Sequence, residues 1–119
     1  MPGKTLKDLQ TEVDEWVQTV GGGYWSAHAN LARISEEVGE LARLVNHLYG
    51  PKPKKPTEAT QELGEEMADI LFAVICLANS EQIDLEASFA GVLAKVWHRD
   101  RDRYQTIGPG QSGTDDTPA

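Results

Sequence analysis

At 119 residues with 39% hydrophobic side chains, the chain has material for one modest core and for a single domain. Nineteen acidic residues against 11 basic ones give a net charge of −8, which excludes a protein that wraps nucleic acid by neutralising many phosphates. No apolar run reaches the roughly 18 residues of a membrane span, the first residues carry no apolar signal stretch, and the single cysteine, Cys76, can form no disulfide within the chain. A cytoplasmic, reducing setting with no membrane and no nucleic-acid partner is expected.

Leu6, Leu9, Val13, Trp16, Val17 and Val20 recur at spacings of three and four, and Thr5 with Asp8 resembles a capping box. This predicts a helix over about 5–20 with Trp16 in its core stripe, stopped by Gly21-Gly22-Gly23. That glycine run has no following Gly-Lys-Ser/Thr and is not a phosphate-binding P-loop. Leu31, Ile34, Val38, Leu41, Val45 and Leu48 predict a second helix over about 26–49, capped by Ser26. Pro51, Pro53 and Pro56 alternate with lysines (Lys52, Lys54, Lys55) in a stiff, solvated connector. Beyond Thr57, a capping candidate, Leu63, Met67, Ile70, Leu71, Val74, Leu77 and Ala78 predict a central third helix over about 58–80, with Cys76 as core packing. Asp84 is a plausible cap for a fourth helix, about 84–104, with the stripe Leu85, Phe89, Val92, Leu93 and Val96. Residues 105–119 are rich in Gly, Pro, Ser, Thr and Asp and read as a disordered tail. No segment alternates with period two, so the expected fold is all-α: a four-helix bundle over 1–104 with short antiparallel connections.

One acidic phrase occurs twice. Glu36-Glu37-Val38-Gly39-Glu40-Leu41 on the second helix returns as Glu65-Glu66-Met67-Ala68-Asp69-Ile70 on the third. Residues three apart share a helix face, so Glu37 with Glu40, and Glu66 with Asp69, form two-carboxylate combs flanking the apolar seam. A solvated acidic face gains from nearby lysine and arginine. Here Arg43 lies six past Glu37, and Glu58 to Asp69 contains no basic residue. Facing combs repel unless a cation joins them, and all-oxygen ligation suits Mg2+, Mn2+ or Ca2+. A diiron bundle would place Glu-x-x-His on two helices, whereas positions 40 and 69 are acids and His47 lies seven past Glu40. His28, His47 and His98 show no ligand spacing.

The doubled motif, Glu37-x-x-Glu40 followed by Glu66-x-x-Asp69 and then by a basic fourth helix, resembles the MazG-like nucleotide pyrophosphohydrolases over about residues 5–104. The resemblance implies hydrolysis of a nucleoside triphosphate, NTP or dNTP, to the monophosphate and pyrophosphate. It also implies Mg2+, with Mn2+ as the alternative, and a homodimer or homotetramer. Carried over by position, Glu37, Glu40, Glu66 and Asp69 are the metal ligands. Glu36 is then a candidate general base for the attacking water, with Glu65 the symmetric choice.

Lys95 and Arg99 resemble the family's Lys-x-x-x-Arg feature and would hold the triphosphate tail; equally, with Arg101 and Arg103, they complement a helix C-terminus and pair with Asp100 and Asp102. Trp25, just before the second helix, is the ring expected at the base, with Asn30 as a polar base contact. Asn79 either touches sugar or base, as the resemblance implies, or caps the third helix. The resulting expectation is a house-cleaning nucleotide hydrolase. A non-catalytic metal-dependent interaction or nucleotide-sensing module and a phosphoribosyl-ATP pyrophosphohydrolase are the alternatives.

Overall fold

The computed structural model describes residues 3–51, 60–101 and 103. They form four α-helices, α1 (Leu6–Thr19), α2 (Ala27–Tyr49), α3 (Thr60–Ser80) and α4 (Leu85–Asp100), and no strand among the described residues. The all-α expectation holds, and the expected helices agree with these bounds to within two residues except at the end of α4. There Asp100 is clamped by the forked guanidinium of Arg99 and by Arg103, both at 3.1 Å, and regular helix gives way to turn. The Pro/Lys connector at 52–59 and the tail from 104 onward lie outside the described residues. Among those described, no helix is long and apolar enough to cross a membrane.

The chain divides into two compact units, Met1–Leu85 and Glu86–Ala119. In the first, α1 begins with the expected capping box: the Thr5 hydroxyl accepts from the Asp8 amide and the Asp8 carboxylate accepts from the Thr5 amide. These bonds hold the Asp8 carboxyl below its usual range. At its other end, Val20 and Gly21 both donate to the Trp16 carbonyl. Gly22 and Gly23 take φ values of 83° and 97°, a region that favours glycine, and turn the chain toward α2. Gly21 lets the Trp16 indole close in: a Cβ there would stand 2.6 Å from the ring, which would have to shift. Ser26 caps α2 by accepting from Ala29.

Partners along the helices give their directions. Gln10 meets Asn79 while Trp16 meets Phe72, so α1 runs antiparallel to α3. Arg33 shares a pocket with Ala73 and Cys76, Glu40 approaches Glu66, and His47 shares a recess with Glu62, so α2 is antiparallel to α3 as well. Helix α3 is therefore central to this unit, as its wide apolar arc predicts. It supplies Ala73, Ile75 and Ala78 to a buried core completed by Val17 and Leu44.

The seam between α2 and α3 differs from the apolar stripe in one respect that matters. On α2 the inward positions are Asn30, Ile34, Glu37, Leu41, Leu44 and Leu48, and on α3 they are Leu63, Glu66, Ile70, Ala73 and Leu77, each set at strict four-three spacing. Ile34, Leu41 and Leu48 match the predicted stripe. Leu31, Val38 and Val45 do not: Val38 is 47% exposed, and Met67 on α3 is 56% exposed. One residue of helix is 100° of rotation, so the shift brings Glu37 and Glu66 from flanking positions into the seam itself. Trp16 also departs from expectation, at 48% exposure. It stands in the last turn of α1, where one edge packs on Phe72 and Gly21 while the rest faces a pocket.

Candidate metal centre

Carboxylates of Glu37, Glu40 and Glu66 each offer an oxygen within 4.8 Å of the others. Three of the four comb carboxylates thus meet, because antiparallel packing brings the middle of α2 to the first half of α3. Glu37 has a side chain only 12% exposed, and its Oε2 accepts from Arg33 Nε at 3.0 Å. Its Oε1 is buried without a hydrogen-bond partner among the described residues, and so is Oε1 of Glu66. Two orphaned anionic oxygens in one seam carry a desolvation cost that a cation would offset. Burial, followed by the charges of Glu40, Glu37, Asp69 and Glu65, raises the Glu66 carboxyl above its ordinary value. Asp69, the fourth predicted ligand, is exposed and stands outside the mutual 4.8 Å set, although its charge is felt at Glu66.

A recess of about 250 Å³ opens beside the cluster, lined by Glu40, Glu62, Glu65 and Glu66 from the acidic phrases and their surroundings and by Arg43, Leu44 and His47. Of the two candidate bases, Glu65 is on its wall. Glu36 is exposed and is not among the residues lining it.

Next along the same seam lies a more apolar pocket of about 180 Å³. Trp16, Val17, Tyr24, Trp25, Phe72, Ala73 and Cys76 form most of it, with Gly21, Gly23, Asn30 and Arg33 completing the wall. Both Trp25 and Asn30, singled out in the sequence, are thus present. Asn30 is 4% exposed, and its amide nitrogen donates to the Trp25 carbonyl at 3.2 Å, fixing the entry into α2. The Tyr24 hydroxyl donates to Asp14; burial and that bond push it up to about 12. Cys76 is half-buried and faces this pocket, a less enclosed setting than core packing; burial pushes its thiol up and the charge of Arg33 partly opposes the rise.

Asn79 bonds chiefly to α1, and its side chain also reaches the Tyr24 hydroxyl, where it partly opposes the upward shift. Its Oδ1 accepts from Gln10 Nε2 at 2.8 Å and its Nδ2 donates to the Gln10 carbonyl at 3.0 Å, while Gln10 also bonds the Ile83 carbonyl and the Leu85 amide. In the second unit Lys95 is exposed, and Arg99 is forked onto Asp100.

The family model for the MazG nucleotide pyrophosphohydrolase domain matches residues 25–104. The chain belongs to the MazG family. YpjD of Bacillus subtilis (strain 168) is 50% identical over 104 residues, covering 87% of this chain and 94% of YpjD. The crystal structure of YPJD from Bacillus subtilis superposes with a TM-score of 0.74 at 50% identity, over 80% of this chain and 97% of that one. A second crystal structure, of the Bacillus-conserved MazG protein, a nucleotide pyrophosphohydrolase, gives 0.71 at 46% identity over 87% and 100%.

Both combs, Trp25 and Asn30 fall inside the stretch matched to the MazG family, whereas Trp16 and Val17 precede it. Arg33 is the site residue that the sequence reading passed over. Its signal is in the sequence: it stands four residues before Glu37, the spacing of a helical ion pair.

Proposed function

We propose that this MazG-family chain is a Mg2+-dependent nucleoside triphosphate pyrophosphohydrolase, converting an NTP or dNTP and water to the monophosphate and pyrophosphate. The observation that carries this reading is the pair of buried, partnerless carboxylate oxygens on Glu37 and Glu66 within a three-carboxylate cluster. Oxygen-only donors at this density fit a hard divalent cation, and Mn2+ meets the same donor set. Glu37, Glu40 and Glu66 would hold it, with Asp69 as the fourth candidate. When bound, the ion offsets phosphate charge and favours attack of water on the phosphoanhydride.

The chain's own groups do the remaining work. A place on the wall of the acidic recess supports Glu65 as the carboxylate that accepts a proton from the attacking water, with Glu36 the alternative. The aromatic pocket supports base binding against Trp25, with Asn30 fixing the backbone there and leaving its amide oxygen as the acceptor it can offer. Lys95 and Arg99 are the cations to which the resemblance assigns the triphosphate tail. Asn79 serves sugar or base only if it leaves its bonds with Gln10.

Residues 1–104 act as one functional domain in this reading, supported by a family match that runs through α2, α3 and α4. Leu31, Val38, Val45 and Tyr49 leave an open apolar face on α2 and support a homodimer or homotetramer. The half-buried single cysteine is in keeping with a cytoplasmic setting, and nucleotide house-cleaning is the role that fits.

The test is chromatographic product analysis with a panel of ordinary and modified NTPs and dNTPs, with Mg2+, Mn2+ or EDTA. Metal-dependent appearance of monophosphate and pyrophosphate is expected, and Glu37→Ala and Glu66→Ala should abolish it while preserving helicity. No turnover of any substrate would favour the non-catalytic module. A strong preference for phosphoribosyl-ATP over free nucleotides would move the assignment to that relative.

A further inference from the structure

Arg33 belongs to two features at once. Its Nε donates to Oε2 of Glu37 at 3.0 Å, and Glu37 offers the cluster a second oxygen that is buried and unpartnered. The same guanidinium lies 5.8 Å from the centroid of Trp25 and lines the aromatic pocket. A guanidinium that lies within cation–π range of an indole while its Nε holds a carboxylate has little freedom to move either contact independently. A carboxylate fixed by one oxygen presents the other in a single orientation, and outer partners of this kind set how well a metal ligand performs.

We propose that Arg33 is a positioning residue that couples the aromatic pocket to the metal centre, so that filling either one tightens binding at the other. This rests on the metal-centre reading above. A flat ring entering the pocket packs against Trp25 and the guanidinium, restricts Arg33, and so holds Glu37 ready. Cation binding at Glu37 restricts the same side chain from the other end. Linkage makes the two effects equal: whatever factor the cation adds to ring affinity, the ring adds to cation affinity.

The measurement uses the full chain and ordinary nucleosides without phosphates, so that no phosphate can bridge to the ion. Mg2+ and Mn2+ binding is followed by calorimetry with and without each nucleoside, and nucleoside binding by tryptophan fluorescence with and without metal. The unmodified protein should show a reciprocal coupling of about five-fold or more, within the range usual for linked sites. In Arg33→Met the metal affinity should fall by about 10–100-fold and the coupling factor should go to one. Arg33→Lys keeps the charge and the half-exposed setting but lacks the planar fork. It should retain most of the metal affinity and lose the coupling, a split that a merely electrostatic role would not give. Lys4→Met, which removes the same charge from an exposed pair with Glu12, should change neither quantity. Coupling that persists in Arg33→Lys and Arg33→Met with unchanged metal affinity would overturn this inference alone. An unmodified protein that binds neither metal would overturn the underlying reading and this inference with it.

Discussion

Helix α3 carries polar groups inward at both ends, and the two ends are finished differently. Toward its C-terminus, Asn79 and Gln10 exchange bonds reciprocally, and Gln10 spends its remaining capacity on Ile83 and Leu85. Near its start, Glu66 and Glu37 sit in equally inward positions yet keep an oxygen each with no donor. The first arrangement is closed and ties α1 to the turn after α3. The second is open: two carboxylate oxygens there have no donor among the described residues. A satisfied buried network specifies structure, whereas an unsatisfied one within a charged cluster specifies a ligand.

The largest expected effect breaks the open end. Glu66→Ala or Glu37→Ala should lower pyrophosphate release by more than about 100-fold, beyond the roughly 10–100-fold typical of losing an outer partner of a metal ligand. Thermal melts of Glu66→Ala in EDTA should show no loss of stability, since the change removes a carboxylate disfavoured by burial and by neighbouring charge, whereas Glu37→Ala also removes the acceptor of the Arg33 bond and should lower stability slightly. A metal-free melt that falls by many degrees would mean that these acids hold the fold together. Breaking the closed end should do the reverse. Gln10→Ala leaves several part-buried groups unpaired, and a cost of about 2–3 kcal/mol in urea unfolding is expected from roughly 1–3 kcal/mol per orphaned group. Turnover per folded molecule should be kept. Asn79→Ala decides between its two readings: lost stability with unchanged KM marks a brace, and a raised KM with little change in stability marks a substrate contact.

The smallest effect is one of pH. Glu66 titrates above its ordinary value because the folded state disfavours its charged form. Between the ordinary carboxylate value and that raised one, the folded chain binds more protons than the unfolded chain, so stability falls as pH rises. The metal-free protein should therefore be more stable below the usual glutamate range than at neutral pH as far as this group is concerned. Glu66→Gln should flatten that part of the profile, and saturating Mg2+ should do the same. A profile that slopes equally with and without Glu66 would assign the effect elsewhere.

Much of the architecture was legible because α1 and α2 carried their own punctuation: Thr5 with Asp8, the glycine run, Ser26 and the Gly50-Pro51 stop. The approach of Glu37 and Glu40 to Glu66 was legible too, from the repeat and from antiparallel packing, whereas Asp69 stands outside that set. What periodicity could not deliver was the choice between two interleaved rows on α2. Leu31, Val38 and Val45 are more apolar than Asn30, Glu37 and Leu44, yet the second row faces α3. Hydrophobic spacing assigns the greasier row to the seam unless some other gain favours the polar one. At Asn30 that gain is the bond to Trp25; at Glu37 it is the company of Arg33 and the opposing acids. Trp16 was misplaced for a related reason, since a ring at the end of a helix can cover a pocket instead of filling a core.

One division in the molecule has a consequence for how such a protein diversifies. The stretch matched to the family begins at residue 25, so the indole of Trp16, the backbone of Gly21 and the ring of Tyr24 lie upstream of it while lining the same pocket as Trp25. Gly21 leaves no room for even one methyl group beside that indole. Substitutions in the short segment 16–24 can thus widen, narrow or re-angle one wall of the pocket without altering any carboxylate of the combs. One wall of the pocket is written in a stretch apart from the combs, and selection can revise that wall while the carboxylates stand.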